Sequence, residues 1–453
     1  MSSVAHAPSP VPASRTADLV AASLKRRRRQ ETRFKAYGIG CAALAVLFVA
    51  ILFGTILRSG IPAFFQAVMS VDVYFDPEIV DVGPRPEPSE FPTTAAYDAA
   101  YLAWQNELAG INFGRIIEAA INAELETPAA SRDLRVIYAS NERFRLRDMV
   151  QADPGLIGQT VPFELIAGAD VDVWVKGNID RSLPESQQQL TLVQQQLVDG
   201  MVEDGTMHNV FATWIFTNVD SRSSPATAGL AGAFVGTLYM MLIVIVLTVP
   251  IGVAGAIYLE EFAPRNRFTD LVEININNIA FVPSIVFGLL GAAVFINALQ
   301  LPLSAPIVGG LVLSLMTLPT IIIATRSVLR TVPPSIREAA FGLGASRVQV
   351  VFHHVLPLVI PGILTATIIG VAQAIGETAP LLLIGMNAFV ANVPSGIFDQ
   401  STALPVQLYL WAANENQNFF AARTSAAIIV LLAMMILLNG LAIFLRQRLQ
   451  TRW

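Results

Sequence analysis

The sequence of 453 residues has one cysteine, four histidines and three lysines, and only 14% of its residues are charged. With Cys41 as the sole thiol, the chain can form no internal disulfide, cysteine zinc site or cysteine-ligated iron–sulfur cluster. Lys25, Lys35 and Lys176 each follow a residue other than glycine, so no glycine-rich loop ends in Gly-Lys to cradle a nucleotide's phosphates. Any ATP drive must come from another subunit. His6 lies near the N-terminus, His208 stands alone, and the adjacent His353 and His354 cannot share a helix face, so no metal site is expected. Soluble domains carry about 25% charged residues. The low charge here, with 54% hydrophobic residues and a mean hydropathy of +0.56, excludes an ordinary soluble enzyme and indicates an integral membrane protein.

The apolar residues fall in long uncharged runs. Ala36–Leu57 is one of them, 22 residues long. At about 1.5 Å per residue it crosses a hydrocarbon core of roughly 30 Å. Lys25, four arginines at 26–29, Arg33 and Lys35 precede it, and the positive-inside rule then holds the N-terminus in the cytoplasm. Residues 1–35 are expected to be a disordered basic segment and 36–58 the first span. Ser223–Leu259 and Ile274–Thr325 are also uncharged, and Pro302 and Pro306 divide the second into a helical pair. Val348–Gly376 and Thr378–Phe398 are separated only by Glu377, and Thr424–Leu445 precedes Arg446, Arg448 and Arg452. Six spans result, five of them in a core over 223–445, and the tail 446–453 returns to the cytoplasm.

Between the first two spans, residues 59–222 carry 24 Asp and Glu against 10 Lys and Arg, a net of −14. This segment reads as an acidic external domain, water-soluble and of mainly helical or mixed character. Apolar residues at three- and four-residue spacings predict amphipathic helices over Tyr97–Glu126 and Ser186–Met201, whereas Asp170–Val175 alternates like a strand. Gly83–Pro92 reads as a loop and Ser221–Pro225 as the linker back to the membrane.

The inside loop 326–355, between the fourth and fifth spans, has a specific pattern. Glu338-Ala339-Ala340 is followed after three residues by Gly344, and Leu356-Pro357 closes the series. This spacing resembles the EAA motif of ABC transporter permeases, departing from it at His354, where an apolar residue is usual. Ala339 and Ala340 allow close approach to a partner, Gly344 permits a φ that bends the chain, and Pro357 is expected to begin the next helix. In the family this element is the coupling helix that sits in a groove on the ATPase subunit.

Four further stretches narrow the resemblance. Ala256–Phe262 (AIYLEEF), Val282–Gly288 (VPSIVFG), Thr317–Thr320 (TLPT) and Gly376–Leu382 (GETAPLL) are similar to the A-type permease subunit of the phosphate-specific ABC importer, the PstA family, over roughly Gly229–Leu441. The acidic segment resembles an extension found in a subset of members. The resemblance implies an all-α integral membrane protein with six transmembrane helices of the type-I ABC importer permease core. It implies a multi-pass subunit of the bacterial cytoplasmic (inner) membrane that catalyses no bond chemistry and binds no cofactor. A partner ATPase dimer would use ATP and Mg, beside a second, C-type permease and an external phosphate-binding protein, with no nucleic acid involved. Importers of molybdate or sulfate share the coupling loop, and a membrane signalling scaffold is the alternative of another class.

Glu377 is the one carboxylate deep inside a predicted span, a position costly in lipid unless it faces a wet cavity or the bundle interior. Pro380 has no N–H to donate, which frees backbone near Gly376. Gln373, one turn before, stands where the resemblance leads one to expect arginine. A carboxylate accepts hydrogen bonds from a protonated oxyanion, so Glu377, Gln373 and Thr378 are the candidate substrate pathway near mid-membrane. Arg326 at the end of the fourth span is a candidate exit contact or, with Arg330, a headgroup or loop contact. Asn275, Asn277 and Asn278 are weaker candidates, as caps or interhelical ties.

Overall fold

The computed structural model describes residues 13–125 and 128–449. They divide into two compact units, one ending at Arg58 and one beginning at Ser59. The first is helix α1 (Ala13–Gly60), whose last two residues enter the second unit. The disorder expected over 1–35 is thus corrected from residue 13 onward, and residues 1–12 lie outside those described. The reason is local propensity: Ala, Leu, Lys, Arg, Gln and Glu, all strong helix formers, supply nearly every residue of Ala21–Glu31. The helix of the span therefore propagates back through the basic run.

The second unit begins with an inserted α/β domain. Strand β1 (Phe65–Tyr74) leads to α2 (Thr94–Gly110), α3 (Phe113–Glu124), α4 (Ser131–Ile137) and α5 (Glu142–Ala152). Then come β2 (Thr160–Ile166), α6 (Ala169–Val175), α7 (Leu192–Glu203), β3 (Met207–Phe211) and the short α8 (Trp214–Thr217). The strands form an antiparallel sheet in the order β2-β1-β3, with Val71 opposite Phe163 and Ala67 opposite Asn209. Met69 and Phe75 from β1 and its end pack with Trp104, Leu108, Ile117 and Leu134 of the helices. Each large apolar side chain so buried stabilises the domain by about 1.5–3 kcal/mol.

Two local expectations are corrected here. The helix expected over Tyr97–Glu126 breaks into α2 and α3, because Gly110 is a poor helix residue and Ile111 turns extended. Asp170–Val175, expected as a strand, is helical in α6. Val171, Asp172, Val173 and Trp174 are all buried, and a segment buried on every side carries no periodicity that separates strand from helix.

The helical bundle follows. It comprises α9 (Ala231–Ile257), α10 (Arg267–Ala280), α11 (Ser284–Gly291), α12 (Pro306–Leu329), α13 (Pro334–Gly342), α14 (Arg347–Gln349), α15 (Leu356–Ile375), α16 (Ala379–Leu383), α17 (Leu404–Ala412) and α18 (Gln417–Leu449). Among the described residues, five helices are long and apolar enough to cross a membrane. The bent pair of α10 with Ser284–Ala298 makes a sixth if it counts as one span. That pair turns by 100°, so the helical pair expected in Ile274–Thr325 has a broken first member. Pro283 is the cause: it sits extended at φ −56° and ψ 136° and restarts the chain as α11.

Bundle packing relies on small residues, as expected where lipid supplies no hydrophobic drive between helices. A Cβ on Gly309 of α12 would lie 2.5 Å from Met240 Sδ of α9, and one on Gly310 would lie 2.7 Å from Ile243 Cβ. The α9–α12 contact is therefore closed to any larger side chain.

Candidate functional site

At its end away from the inserted domain, α9 finishes in a π-helical turn, Tyr258–Phe262. Such turns add a residue to the helix and recur at functional sites. Here the turn presents adjacent carboxylates to different arginines. Glu260 accepts from Arg326 Nε at 3.2 Å and from Arg330 Nε at 3.0 Å, whereas Glu261 accepts from Arg337 Nη2 at 2.7 Å. Arg326 Nη2 also reaches Glu273 of α10 at 2.6 Å. Arg337 further donates to the Val332 and Leu329 carbonyls at 2.7 and 3.1 Å. Three arginines and three carboxylates thus tie α9, α10, α12 and α13 together.

Helix α13 carries the Glu-Ala-Ala triplet. Ala340 is buried against Leu329, Val332, Val350 and Val355, while Glu338 and Ala339 face outward. The helix ends in a left-handed turn: Gly344 has φ +86°, its N–H bonds Phe341 O at 2.9 Å, and the N–H of Ala345 bonds Ala340 O at 3.1 Å. This pair of bonds is a Schellman motif, which glycine adopts without a Cβ penalty. Phe341 is 47% and Leu343 88% exposed, so the loop holds up an apolar tip.

Beyond the turn, Ser346 caps a new helix by accepting from Gln349 N, and Gln349 returns the bond to Ser346 N at 2.8 Å. From Arg347 the helix runs continuously through a π-helical stretch, Val350–Val355, into α15. Pro357 therefore does not begin this helix. It lies inside it, half-buried beside Leu356, and the widened turn just before it is the local adjustment that lets the run continue past a residue with no N–H. The same stretch explains His354. It is exposed, and Val350, Val351 and Val355 supply the buried contacts.

Farther along, α15 ends at Ile375 and α16 begins at Ala379, with Pro380 in its first turn. The backbone does break at Gly376-Glu377-Thr378. Glu377 and Thr378 border the break, and Gln373 stands on the last turn of α15. Glu377 forms no ion pair among the described residues. Just beyond the break, α16 packs closely on α11, where a Cβ on Gly288 would lie only 2.7 Å from Pro380 Cα. Asn275 on α10 donates to Leu271 O at 2.7 Å, an intrahelical tie, and Asn277 and Asn278 follow it on the same helix.

Sequence reasoning did not reach the joint between the inserted domain and the bundle. Arg423, near the start of α18, is 2% exposed and donates to Ala226 O at 3.1 Å, to Ala228 O at 3.3 Å and to Gln66 Oε1 of β1. Trp214 Nε1 meets the same Gln66 oxygen at 3.2 Å. Trp411 Nε1 donates to Asp220 at 2.9 Å, and Asn416 Nδ2 to Asp170 at 2.9 Å. The available signal was a lone arginine at the head of an apolar run. The carboxylates of the opposite end left a signal too, as a Glu-Glu pair closing the run that ends at Leu259.

Residues 225–453 match the family described as the binding-protein-dependent transport system inner membrane component, and residues 21–185 match a domain of unknown function, DUF3333. The phosphate transport system permease protein PstA of Mycobacterium leprae (strain TN) is 32% identical over 217 residues, covering 48% of this chain and 69% of the relative. The probable ABC transporter permease protein YqgI of Bacillus subtilis (strain 168) is 30% identical over 211 residues, covering 44% and 70%. Among solved structures, an inward-facing form of the MetNI methionine ABC transporter superposes with a TM-score of 0.38 at 16% identity, over 49% of this chain and 96% of that one.

Proposed function

This chain belongs to the family of binding-protein-dependent transport system inner membrane components, and we propose that it is the A-type permease subunit through which an ATP-driven importer moves inorganic phosphate inward. The similarity to PstA supports the substrate. The observation that carries the mechanism is the rigid, outward-facing tip of α13, locked by the Gly344 turn and tied to the bundle by Arg337 and Glu261. A force applied to that tip is passed to α9 directly, and through Glu260 and Arg326 to α12 and α10. In this reading a dimer of separate ATPase subunits, using ATP and Mg, grips the tip through Glu338, Ala339, Ala340 and Gly344. Leu356 and Pro357 lie within the helix that runs from Arg347 into the bundle and carry the movement onward.

The chain itself performs no bond chemistry. Its termini lie in the cytoplasm of a bacterial inner membrane, residues 59–222 lie outside, and a C-type permease and an external phosphate-binding protein complete the assembly. Glu377, with Thr378 and Gln373 beside it, lines the pathway at the helix break. A carboxylate there accepts hydrogen bonds from the protonated oxygens of hydrogen phosphate, and a cation from the partner permease balances the charge. Arg326 contributes to exit only after its pairs with Glu260 and Glu273 open.

The test is phosphate uptake by vesicles holding matched amounts of assembled complex. Glu377→Gln keeps the shape and removes the charge, so the complex should assemble and transport poorly. Normal uptake would exclude Glu377 from the pathway. Wild-type uptake of sulfate or molybdate in place of phosphate would overturn the substrate, and a chain that purifies without any ATPase would favour a signalling scaffold.

A further inference from the structure

Four phenylalanine rings form one cluster where the inserted domain meets the bundle. Between ring centres, Phe64 lies 5.8 Å from Phe216 and 6.5 Å from Phe211, Phe211 lies 6.2 Å from Phe216, and Phe65 meets Phe211 edge-on at 5.8 Å. Phe65 and Phe211 stand directly opposite each other in β1 and β3, so they share the sheet face that carries Met69 and Met207 four residues along. Those methionines are buried in the core of the domain. At the other end of the same face the apolar side chains come into the open: Phe65 is 44% exposed, Phe211 50% and Phe216 46%. Adjacent large rings left so open mark a contact surface.

Helix α18 fixes the level at which the cluster stands. Gln66, the neighbour of Phe65, is held by the buried Arg423, Ser425 Oγ donates to Ser59 Oγ at 3.1 Å, and the turn Ile61–Phe64 packs on α18. A Cβ on Gly60 would lie 2.6 Å from Ile429. The uncharged run of α18 begins at Thr424, so the chain from Ser59 to Gln66 lies along the first two turns of a helix long and apolar enough to span the membrane. The rings therefore stand where that helix passes from water into lipid. Charge agrees with position. Gly60–Val71 and Asn209–Val219, which carry the four rings, have no charged residue, although the segment 59–222 holds 24 Asp and Glu. A bilayer surface holding anionic lipid repels carboxylates, and this is a part of the domain free of them.

We propose that the open rings of Phe65, Phe211 and Phe216 seat in the bilayer boundary on the domain side, with membrane lipid as the occupant of the patch. Exposed phenylalanines on an apolar face bury at the junction of headgroups and acyl chains. Continuity with the span of α18 and the lack of charge select lipid over a protein partner. The domain is then held at two places, by Arg423 from within the joint and by the aromatic cluster from the lipid side. Nothing in this arrangement depends on the solute carried.

Spin labels test this. Cys41→Ser removes the chain's one thiol, so a nitroxide can be placed on Phe211→Cys, on Phe216→Cys or, for reference in the same domain, on Leu102→Cys of α2, where the native side chain is 58% exposed. The full chain, with the subunits that purify with it, is returned to vesicles of phosphatidylethanolamine and phosphatidylglycerol. Oxygen, which concentrates in the bilayer, should relax the labels at Phe211→Cys and Phe216→Cys more than a water-soluble nickel chelate does, and the order should reverse at Leu102→Cys. Adding Phe211→Glu to the Phe216→Cys chain should shift the balance toward the chelate, whereas adding Phe211→Trp should not. If the chelate reaches the two phenylalanine positions as freely as the reference, the patch lies in water and the proposal falls. It falls equally if neither reagent reaches them, because a protein surface then covers the rings. A balance that Phe211→Glu leaves unchanged would show that the rings do not hold the domain to the membrane.

Discussion

The two ends of the bundle are joined to their neighbours by opposite means. At the domain end, one fully enclosed cation, Arg423, is satisfied by neutral acceptors: two backbone carbonyls of the linker and the Gln66 amide. At the other end, three arginines and three carboxylates share partners near the surface, and Glu260 alone serves two arginines. A buried cation cannot exchange its acceptors without being stripped of all of them at a high desolvation cost. Ion pairs that share a partner, as Arg326 and the exposed Arg330 share Glu260, can exchange it at lower cost. The domain end is therefore a fixed joint and the α13 end an adaptable one, which suits a subunit driven from the α13 side.

The largest expected effect breaks the fixed joint. Arg423→Met should destabilise the chain by about 2–3 kcal/mol, because it leaves the buried Ala228 carbonyl without its donor and the Gln66 oxygen and Ala226 carbonyl sharing Trp214 Nε1 alone. Arg326→Met should cost about 1 kcal/mol, since Arg330 still holds Glu260. Thermal melting of the purified chain in detergent checks both. Equal shifts for the two variants would erase the distinction between the ends.

A second prediction sharpens the comparison from within the inserted domain. Burial pushes the Glu142 carboxyl up to about 7, against the opposing pull of Arg145 and the Ile166 N–H. Its ordinary value is near 4.5. Between those two values the folded domain holds the proton more tightly than the unfolded chain, so stability is greatest at low pH and falls as pH rises toward and past 7. The expected loss is about 2 kcal/mol between pH 5 and pH 8. Glu142→Gln should flatten that slope and melt higher than wild type at pH 8. A wild-type slope that the variant retains would place the titration elsewhere.

How far the sequence reached differs between these regions for physical reasons. Uncharged runs of fixed length locate α1, α9, α12, α15 and α18, because lipid demands them whatever the neighbours do. The spacing around Gly344 was equally readable, since a positive φ leaves a glycine as its trace. Contacts between distant parts were not readable. Arg423 lies 357 residues from Gln66, and nothing local to either names the other. Pro283 was visible, but a 100° turn depends on what α11 finds to pack against. The buried α6 and the π-helical stretch before Pro357 fail for a related reason, because a segment covered on all sides or carrying an extra residue per turn loses the period by which helices are recognised.

At Gly344, conformation and contact can be separated. A Cβ at this position meets open space, so substitution costs only the backbone strain of φ +86°. That strain is about 1–2 kcal/mol for an ordinary L-residue and least for asparagine, which tolerates the left-handed region. Valine is β-branched, so Gly344→Val takes the upper end of that strain and should lose the turn that directs Phe341 and Leu343 outward, lowering the ATP hydrolysis that substrate stimulates in the assembled complex. Gly344→Asn keeps the turn and should keep most of that stimulation. If both variants lose it, the requirement is for a bare surface at the docking contact. If neither does, the α13 tip does not carry the coupling, and the adaptable end of the bundle must be driven at another point.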